Sequence, residues 1–394
     1  MIFKLYISWN VDPALYEGII SLRYYSIFFA ISFLLGFYIV KKMYINESAP
    51  IQWMDKKLVY AVLGTIIGAR LGHVFFYEWD YYAENLMEIP MVWKGGLASH
   101  GAAIALILSM WMYSKKVTKK HTLWALDKLV IAVGLAAGFI RMGNLMNSEI
   151  VGLRTEHPIG FFFEDASSKQ VASVFRIEQE SVSFLDKGID TLIEGIRYPI
   201  NNLSLTIPGI ALDSASQHNY IQNQLVPFID YYSLEYRDAL KQELNNAISL
   251  KRQETERAEI IRSFLKGLNE NHFFTTSKSY DVKVLDNQVL IPIQIIPRTP
   301  TQLYAALAYW FTFLFLFWAY WKKDWYAFRG RLFGVFLTFM FTARFVIEFL
   351  KEHQTLGDES VVNMGQYLSI PLIILGLYYW INSKKDVTNQ GSIY

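Results

Sequence analysis

The chain has 394 residues, of which 53% are hydrophobic and 18% charged, with a formal net charge of +2. A soluble domain carries about 25% charged residues, so the composition argues against a soluble protein, and so small a net charge gives no sign of a nucleic-acid partner. Cysteine is absent, which excludes a disulfide, a thiolate metal site and an internal thiol nucleophile; any thiol chemistry must use a thiol on a substrate.

Seven apolar stretches approach the length of about 20 residues that crosses a bilayer. They are 19–40, 58–77, 97–113, 123–144, 303–321, 332–350 and a short one at 367–381. The first is an anchor rather than a cleaved leader, because its basic pair, Lys41 and Lys42, follows the apolar run. Lys41, Lys42, Lys56 and Lys57 share one loop, Lys115, Lys116, Lys119 and Lys120 a second, and Lys322, Lys323, Arg329 and Arg331 a third, while Lys384 and Lys385 lie in the tail. Seven alternating spans put all of these on one side. The opposite loops are acidic, with Glu78, Asp80, Glu84 and Glu88 in one and Glu352, Asp358 and Glu359 in another. The positive-inside rule then places the N-terminus outside and the C-terminal tail in the cytoplasm. Trp53, Trp79, Trp93 and Trp321 stand at span ends, where indoles favour the interface.

Between the fourth and fifth stretches, residues 153–297 are too polar to span. Apolar residues at Leu240, Leu244, Ile248, Ile261, Leu265 and Leu268 have helical spacing, and the alternation over 282–296, broken by Asp286-Asn287, reads as a hairpin. The expected fold is an all-α polytopic membrane protein of seven transmembrane helices with a mixed α+β extracytoplasmic insertion. Its parts are helices one to four in 1–152, the insertion in 153–297, and helices five to seven with the tail in 298–394.

Ionisable groups inside hydrocarbon are costly and mark function or a paired structural role. Arg70 and Arg344 each lie twelve residues past the inner edge of a span, about 18 Å at 1.5 Å per residue. His100 is three residues into a span entered from outside, and Arg141 is near the outer end of the fourth. The four agree in depth and define one site in the outer leaflet. Arginine forks fit a phosphate, so an anionic phospholipid is the expected ligand; the bland alternative is snorkelling or a local ion pair. Arg344 has Glu348 one turn on, but Arg before Glu is the weaker order. Asn144, Asn147 and Glu149 follow Arg141 closely, and a continuing helix would put Arg141, Asn144 and Ser148 on one face.

Several motifs carry a resemblance. Arg141, Gly143, Asn144, Asn147 and Glu149 resemble the Gly-Arg-x-Gly-Asn-Phe-x-Asn-x-Glu pattern of bacterial prolipoprotein diacylglyceryl transferases, with Ile140 and Leu145 departing from it. Tyr25 in the first span, Gly68-Ala69-Arg70-Leu71-Gly72, Ser99-His100-Gly101, Pro300-Thr301-Gln302-Leu303-Tyr304, Arg344 with Glu348, and the segment from Met364 to Pro371 are similar to that family's other motifs, in order. Met340-Phe341 and the segment from Lys351 to Gln354 depart from it, and the insertion looks longer than usual.

The resemblance implies transfer of the diacylglyceryl group of phosphatidylglycerol to the lipobox cysteine thiol of a preprolipoprotein, in the bacterial inner membrane. A thioether forms and glycerol phosphate leaves. It implies no metal and no cofactor. It makes His100 or Glu348 the base that takes the thiol proton, and gives the phosphate to Arg141 and Arg344. Tyr25, Arg70, Asn144, Asn147, Glu149, Gln302 and Tyr304 become substrate-binding residues. The rival classes are an anionic-solute transporter, which needs polar groups through the full membrane depth, an intramembrane hydrolase built on Ser99 and His100, and a non-catalytic lipid-binding scaffold. Against the first, the inner halves of the spans are almost free of charge apart from Asp127 and Lys128.

Overall fold

The structure is a computed structural model that describes residues 6–16, 18, 21–155, 159–175, 179–193, 196–206, 274–276, 283–285, 288–351 and 364–385. The helical stretch expected over 234–268, the Asp286-Asn287 pair and the acidic loop of Glu352, Asp358 and Glu359 lie outside the described residues. The chain divides into two compact units: a helical unit of Tyr24–Gly143, Tyr304–Glu348 and Val361–Tyr394, and a sheet-bearing unit of Met1–Arg23, Asn144–Leu303 and Phe349–Ser360.

All seven apolar stretches are helical. In chain order the helices are α1 (Tyr24–Asn46), α2 (Gln52–Phe76), the short α3 (Trp79–Glu84), α4 (Ser99–Tyr113), α5 (Thr122–Met146), α6 (Glu164–Phe175), α7 (Thr301–Lys322), α8 (Arg331–Glu348) and α9 (Met364–Ile381). Four of them, α1, α2, α5 and α7, are long and apolar enough to cross a membrane. Their outward faces leave large side chains uncovered by protein, such as Leu34 on α1, Leu63 and Ile67 on α2, and Phe311 and Leu314 on α7. Apolar faces of that extent are stable only against hydrocarbon, which makes the chain a polytopic membrane protein.

Within the helical unit, α2 and α4 meet through glycines. A Cβ on Gly72 would lie 2.7 Å from Gly101 Cα, and one on Gly101 would lie 2.6 Å from Gly72 Cα. Only hydrogen fits at that seam, which is how small residues let transmembrane helices approach closely. A second seam joins α8 to α9, where a Cβ on Gly334 would meet Trp380 N at 2.5 Å and Gly376 O at 2.7 Å.

The lysine-rich end of this unit holds more charge than the sequence suggested. Besides Asp127 and Lys128, Lys57 is buried and the Glu47 side chain is only 3% exposed. Lys128 Nζ lies 2.9 Å from Glu47 Oε1, and Glu47 also accepts from Trp124 Nε1 at 2.7 Å and Tyr320 Oη at 2.8 Å. Asp127 accepts the backbone N–H groups of Gly330 and Phe333, and Lys57 donates to Ala125 O. The expectation of nearly charge-free inner halves is therefore corrected. These groups stand within about 9 Å of helix ends, at 1.5 Å per residue, and each is matched by a partner on another element, as buried ions require.

In the sheet-bearing unit, β1 (Ile7–Trp9) pairs in parallel with β4 (Phe161–Phe163). The hairpin of β2 (Ala14–Tyr16) and β3 (Leu22–Arg23) delays the first helix to Tyr24, later than the apolar run from Ile19 suggests, because its backbone is already engaged in strand pairing. Strands β5 (Val182–Ile193), β6 (Ile196–Thr206), β7 (Phe274–Thr276), β8 (Lys283–Leu285) and β9 (Gln288–Ile295) form one antiparallel sheet of order β5-β6-β9-β7, with β8 also on β9. The β8–β9 pair, with Leu285 opposite Gln288, is the hairpin read from the alternation. The strand pairing continues to the start of α7, where Arg298 exchanges backbone hydrogen bonds with Phe161 and Thr299 N donates to Leu153 O.

Candidate active site

In the helical unit, Arg141 lies five residues before the end of α5, Arg344 four before the end of α8, and His100 is the second residue of α4. At 1.5 Å per residue, each is within about 8 Å of a helix end, and all three ends are opposite the lysine-rich one. All three therefore stand near the same end of their helices.

The two arginines are half-buried, and among the described residues neither makes an ion pair or a hydrogen bond; the Arg141 guanidinium lies 6.0 Å from the Tyr309 ring centroid. In particular, no Arg344–Glu348 ion pair forms among the described residues. The Glu348 carboxylate instead sits over Gly365 in the first turn of α9, where a Cβ would lie 2.8 Å from its carboxyl carbon. His100 is packed edge-on against Phe76, at 5.1 Å, and beside Tyr77, at 5.5 Å. Its ring nitrogens make no hydrogen bond among the described residues, so one can take a proton. Tyr25 lies against Gly143, where a Cβ would be 2.5 Å from its ring, so the glycine is what lets the phenol rest on α5. Tyr304 packs with Ala305, Tyr309 and Ile347. Tyr309, beneath Arg141, was missed in the sequence because its neighbour across the bundle lies 168 positions away.

Arg70 has a different character. It is 3% exposed, its guanidinium rests 4.8 Å from the Tyr82 ring centroid, and its donors are engaged by backbone carbonyls: Nε to Ile89 O at 2.7 Å, Nη1 to Gly95 O at 2.6 Å and Nη2 to Glu88 O at 2.7 Å. A guanidinium so occupied has little left for a phosphate and holds the 86–96 loop instead. Gly95 and Gly96 take positive φ, 86° and 70°, to aim their carbonyls there. The loop carries an exposed ion pair, Lys94 Nζ to Glu88 Oε1 at 2.7 Å. The Lys94 and Tyr81 hydrogen bonds hold the Glu88 carboxyl below its ordinary pKa, and the Glu88 bond raises that of Lys94. His73, one turn past Arg70, pairs with Glu78 at 3.2 Å; it was not singled out in the sequence.

The sheet-bearing unit contributes the amide cluster. Helix α5 ends at Met146, so Ser148 does not continue the face of Arg141 and Asn144, as a longer helix would have it. Ser148 and Ile150 are left-handed, with φ of 54° and 57°. That turn folds Glu149 back on the helix end, where its N–H donates to Asn144 O at 2.9 Å and its carboxylate accepts Asn144 Nδ2 and Asn147 Nδ2, each at 3.1 Å. Gln302 Nε2 donates to the Glu149 carbonyl, and Thr301 Oγ1 to Ile150 O at 2.8 Å. Four expected site residues, Asn144, Asn147, Glu149 and Gln302, are thus brought together on one carboxylate-bearing turn. Among the described residues no group of three His, Asp or Glu could hold a metal ion.

Apolar helices with faces uncovered by protein define a polytopic membrane protein, and its arginines and imidazole stand near one end of them. The sequence model of the prolipoprotein diacylglyceryl transferase family matches residues 13–382, and the chain belongs to that family. It is similar to the phosphatidylglycerol–prolipoprotein diacylglyceryl transferases of Porphyromonas gingivalis, 31% identical with 99% of each chain aligned, and Chloroherpeton thalassium, 28% identical over 97% of this chain and 96% of the relative. That of Protochlamydia amoebophila is 45% identical over 114 residues, 28% of this chain and 30% of the relative. Alignment over 99% of the Porphyromonas protein means that this relative carries a segment comparable to residues 153–297.

Proposed function

We propose that the arginines and the imidazole near one end of the helical unit serve the transfer of a lipid group. The chain is a diacylglyceryl transferase that uses phosphatidylglycerol for the first step of lipoprotein maturation. The acceptor is the lipobox cysteine thiol of a preprolipoprotein. The thiolate sulfur attacks the glyceryl carbon that bears the phosphate; a C–S bond forms, the C–O bond breaks, and glycerol phosphate leaves with the bonding electrons. A free thiol has a pKa of about 8.5 and needs a base. His100 fits that role, since its nitrogens are uncommitted, whereas Glu348 already has a partner and lies against α9. Arg141 and Arg344 hold the phosphate and offset the charge that builds on the departing oxygen. Asn144, Asn147, Glu149, Gln302, Tyr25 and Tyr304 position the headgroup, and Arg70 positions the loop after α3.

The proposed topology is seven spans in the bacterial inner membrane, with the N-terminus and the 153–297 insertion outside, the tail in the cytoplasm and the site towards the outer leaflet. The observation that carries the reading is the pair of half-buried arginines whose donors no acceptor takes up among the described residues. Of the buried charges at the opposite end, Lys128 pairs with Glu47 while Asp127 and Lys57 are held by backbone groups, which gives a transport path no support. Purified protein incubated with phosphatidylglycerol and a lipobox peptide yields a diacylglyceryl adduct by mass spectrometry. Anion flux in liposomes without that adduct would replace the enzyme by a transporter, and lipid binding without turnover would leave a scaffold.

A further inference from the structure

The turn after α5 carries acceptors that no described residue engages. Asn147 Nδ2 faces the Glu149 carboxylate and Gln302 Nε2 faces the Glu149 carbonyl. Both partners accept only, so the amide orientations are determined: each NH2 points at Glu149 and each oxygen away from it. Asn147 Oδ1, Gln302 Oε1 and the Ser148 hydroxyl oxygen are all buried, and none has a hydrogen-bond partner among the described residues. Gln302 is 1% and Ser148 4% exposed. Buried polar atoms are nearly always paired in a native protein. Three unpaired oxygens on residues 147, 148 and 302, tied together through Glu149 and its neighbours, mark a place for a ligand.

Their chemistry limits the ligand. Oxygen acceptors beside a carboxylate repel a phosphate, which belongs with the arginines. They require O–H or N–H donors. The three unpaired acceptors are themselves neutral; an ammonium would draw on the Glu149 charge, which two neutral carboxamide N–H bonds leave in place, and phosphatidylethanolamine is therefore the competing donor to be tested. Neutral acceptors of this kind suit hydroxyls. Resting on the function proposed above, we infer that Ser148, Gln302 and Asn147 receive the two vicinal hydroxyls of the phosphatidylglycerol headgroup and select a polyol head over other anionic or zwitterionic lipids. Ser148 becomes a specificity-determining residue that the motif resemblance did not single out.

The test compares lipid donors on the full-length protein in nanodiscs with a lipobox peptide. The donors are phosphatidylglycerol, phosphatidylpropanol (the same headgroup without its hydroxyls) and phosphatidylethanolamine. Wild-type protein favours phosphatidylglycerol over phosphatidylpropanol by about tenfold or more in kcat/KM, the worth of one to two net hydrogen bonds. Ser148→Ala removes only an unpaired oxygen, and Ser148→Gly does the same while suiting the positive φ. Either one brings that ratio towards one by slowing phosphatidylglycerol about five- to tenfold and leaving phosphatidylpropanol unchanged. Thr301→Val loosens the same turn without touching the unpaired oxygens and slows both lipids by one factor. Equal slowing of both lipids in the Ser148 variants, or a wild type indifferent to the hydroxyls, overturns the assignment. So does wild-type turnover of phosphatidylethanolamine at the phosphatidylglycerol rate. Transfer from no lipid at all would overturn the functional reading itself, a result distinct from a changed ratio.

Discussion

Replacing Gly101 by Ala tests whether the α2–α4 seam positions His100. The new Cβ would fall 2.6 Å from Gly72 Cα and 3.0 Å from Gly72 N, and against Gly68 O as well. Carbon atoms in contact prefer about 3.5–4.0 Å, so the helices must part by roughly 1 Å at that point. The obstacles are backbone atoms of α2, which cannot rotate aside as a long side chain could. Overpacking of this kind costs about 1–3 kcal/mol of stability. His100 is the adjacent residue, on the first turn of α4, and moves with the backbone. A displacement of about 1 Å at a reacting group lowers a rate about 100-fold. Thioether formation by the purified variant, followed by mass spectrometry beside thermal unfolding in the same detergent, should therefore show kcat down about 100-fold in protein that still folds. Gly134→Ala is the control, since its Cβ would meet Phe313 atoms at 3.5–3.6 Å, ordinary contact; it should keep wild-type turnover. A Gly101→Ala enzyme with the wild-type rate would show that the seam does not govern His100.

Arg141→Lys and Arg344→Lys keep the charge but lose the fork, and each should reduce kcat/KM by about 10²-fold or more, because two charge-assisted hydrogen bonds are worth about 3–6 kcal/mol together; turnover within threefold of wild type would remove that arginine from the phosphate site. Lys128→Met leaves Glu47 as an uncompensated buried charge and should destabilise the protein by about 3–5 kcal/mol, whereas the double change Glu47→Gln with Lys128→Met should recover most of that; equal melting of single and double variants would contradict the pairing. The Glu88–Lys94 bridge should respond to acid. With the Glu88 pKa lowered on folding, its contribution is present above the ordinary carboxylate range and is lost as pH falls through the lower folded value. Emission from Trp93, beside Lys94, should then change with a midpoint below about pH 4.3; an unshifted midpoint, or one that survives Glu88→Gln, would assign the change elsewhere.

The positions of the seven helices were legible in the sequence because a bilayer leaves a chain few options: an apolar run of sufficient length must satisfy its backbone internally as a helix. That Arg141, Arg344 and His100 stand near one end of their helices followed from counting residues along those runs. Glu47 and Lys57 were not recognised as buried, since each stands next to solvent in sequence and only the approach of α5 and α7 encloses them. The helical stretch over 234–268 remains a reading of the sequence alone.

Residue identity established that arginines, an imidazole and carboxamides stand near one end of the apolar helices, and that the reacting thiol is foreign to this cysteine-free chain. Tertiary structure decided which of those groups is available to a substrate. Arg70 and Arg344 look alike in sequence, both twelve residues into an apolar stretch, yet one guanidinium is caged by backbone carbonyls while the other has no hydrogen-bond partner among the described residues. Likewise, the pattern after Arg141 reads as a helix face until Ser148 and Ile150 turn left-handed and gather Asn144, Asn147 and Gln302 on Glu149. Hydrogen-bond donors and acceptors are properties of a residue type, but whether they are engaged depends on neighbours that the fold brings from distant parts of the chain.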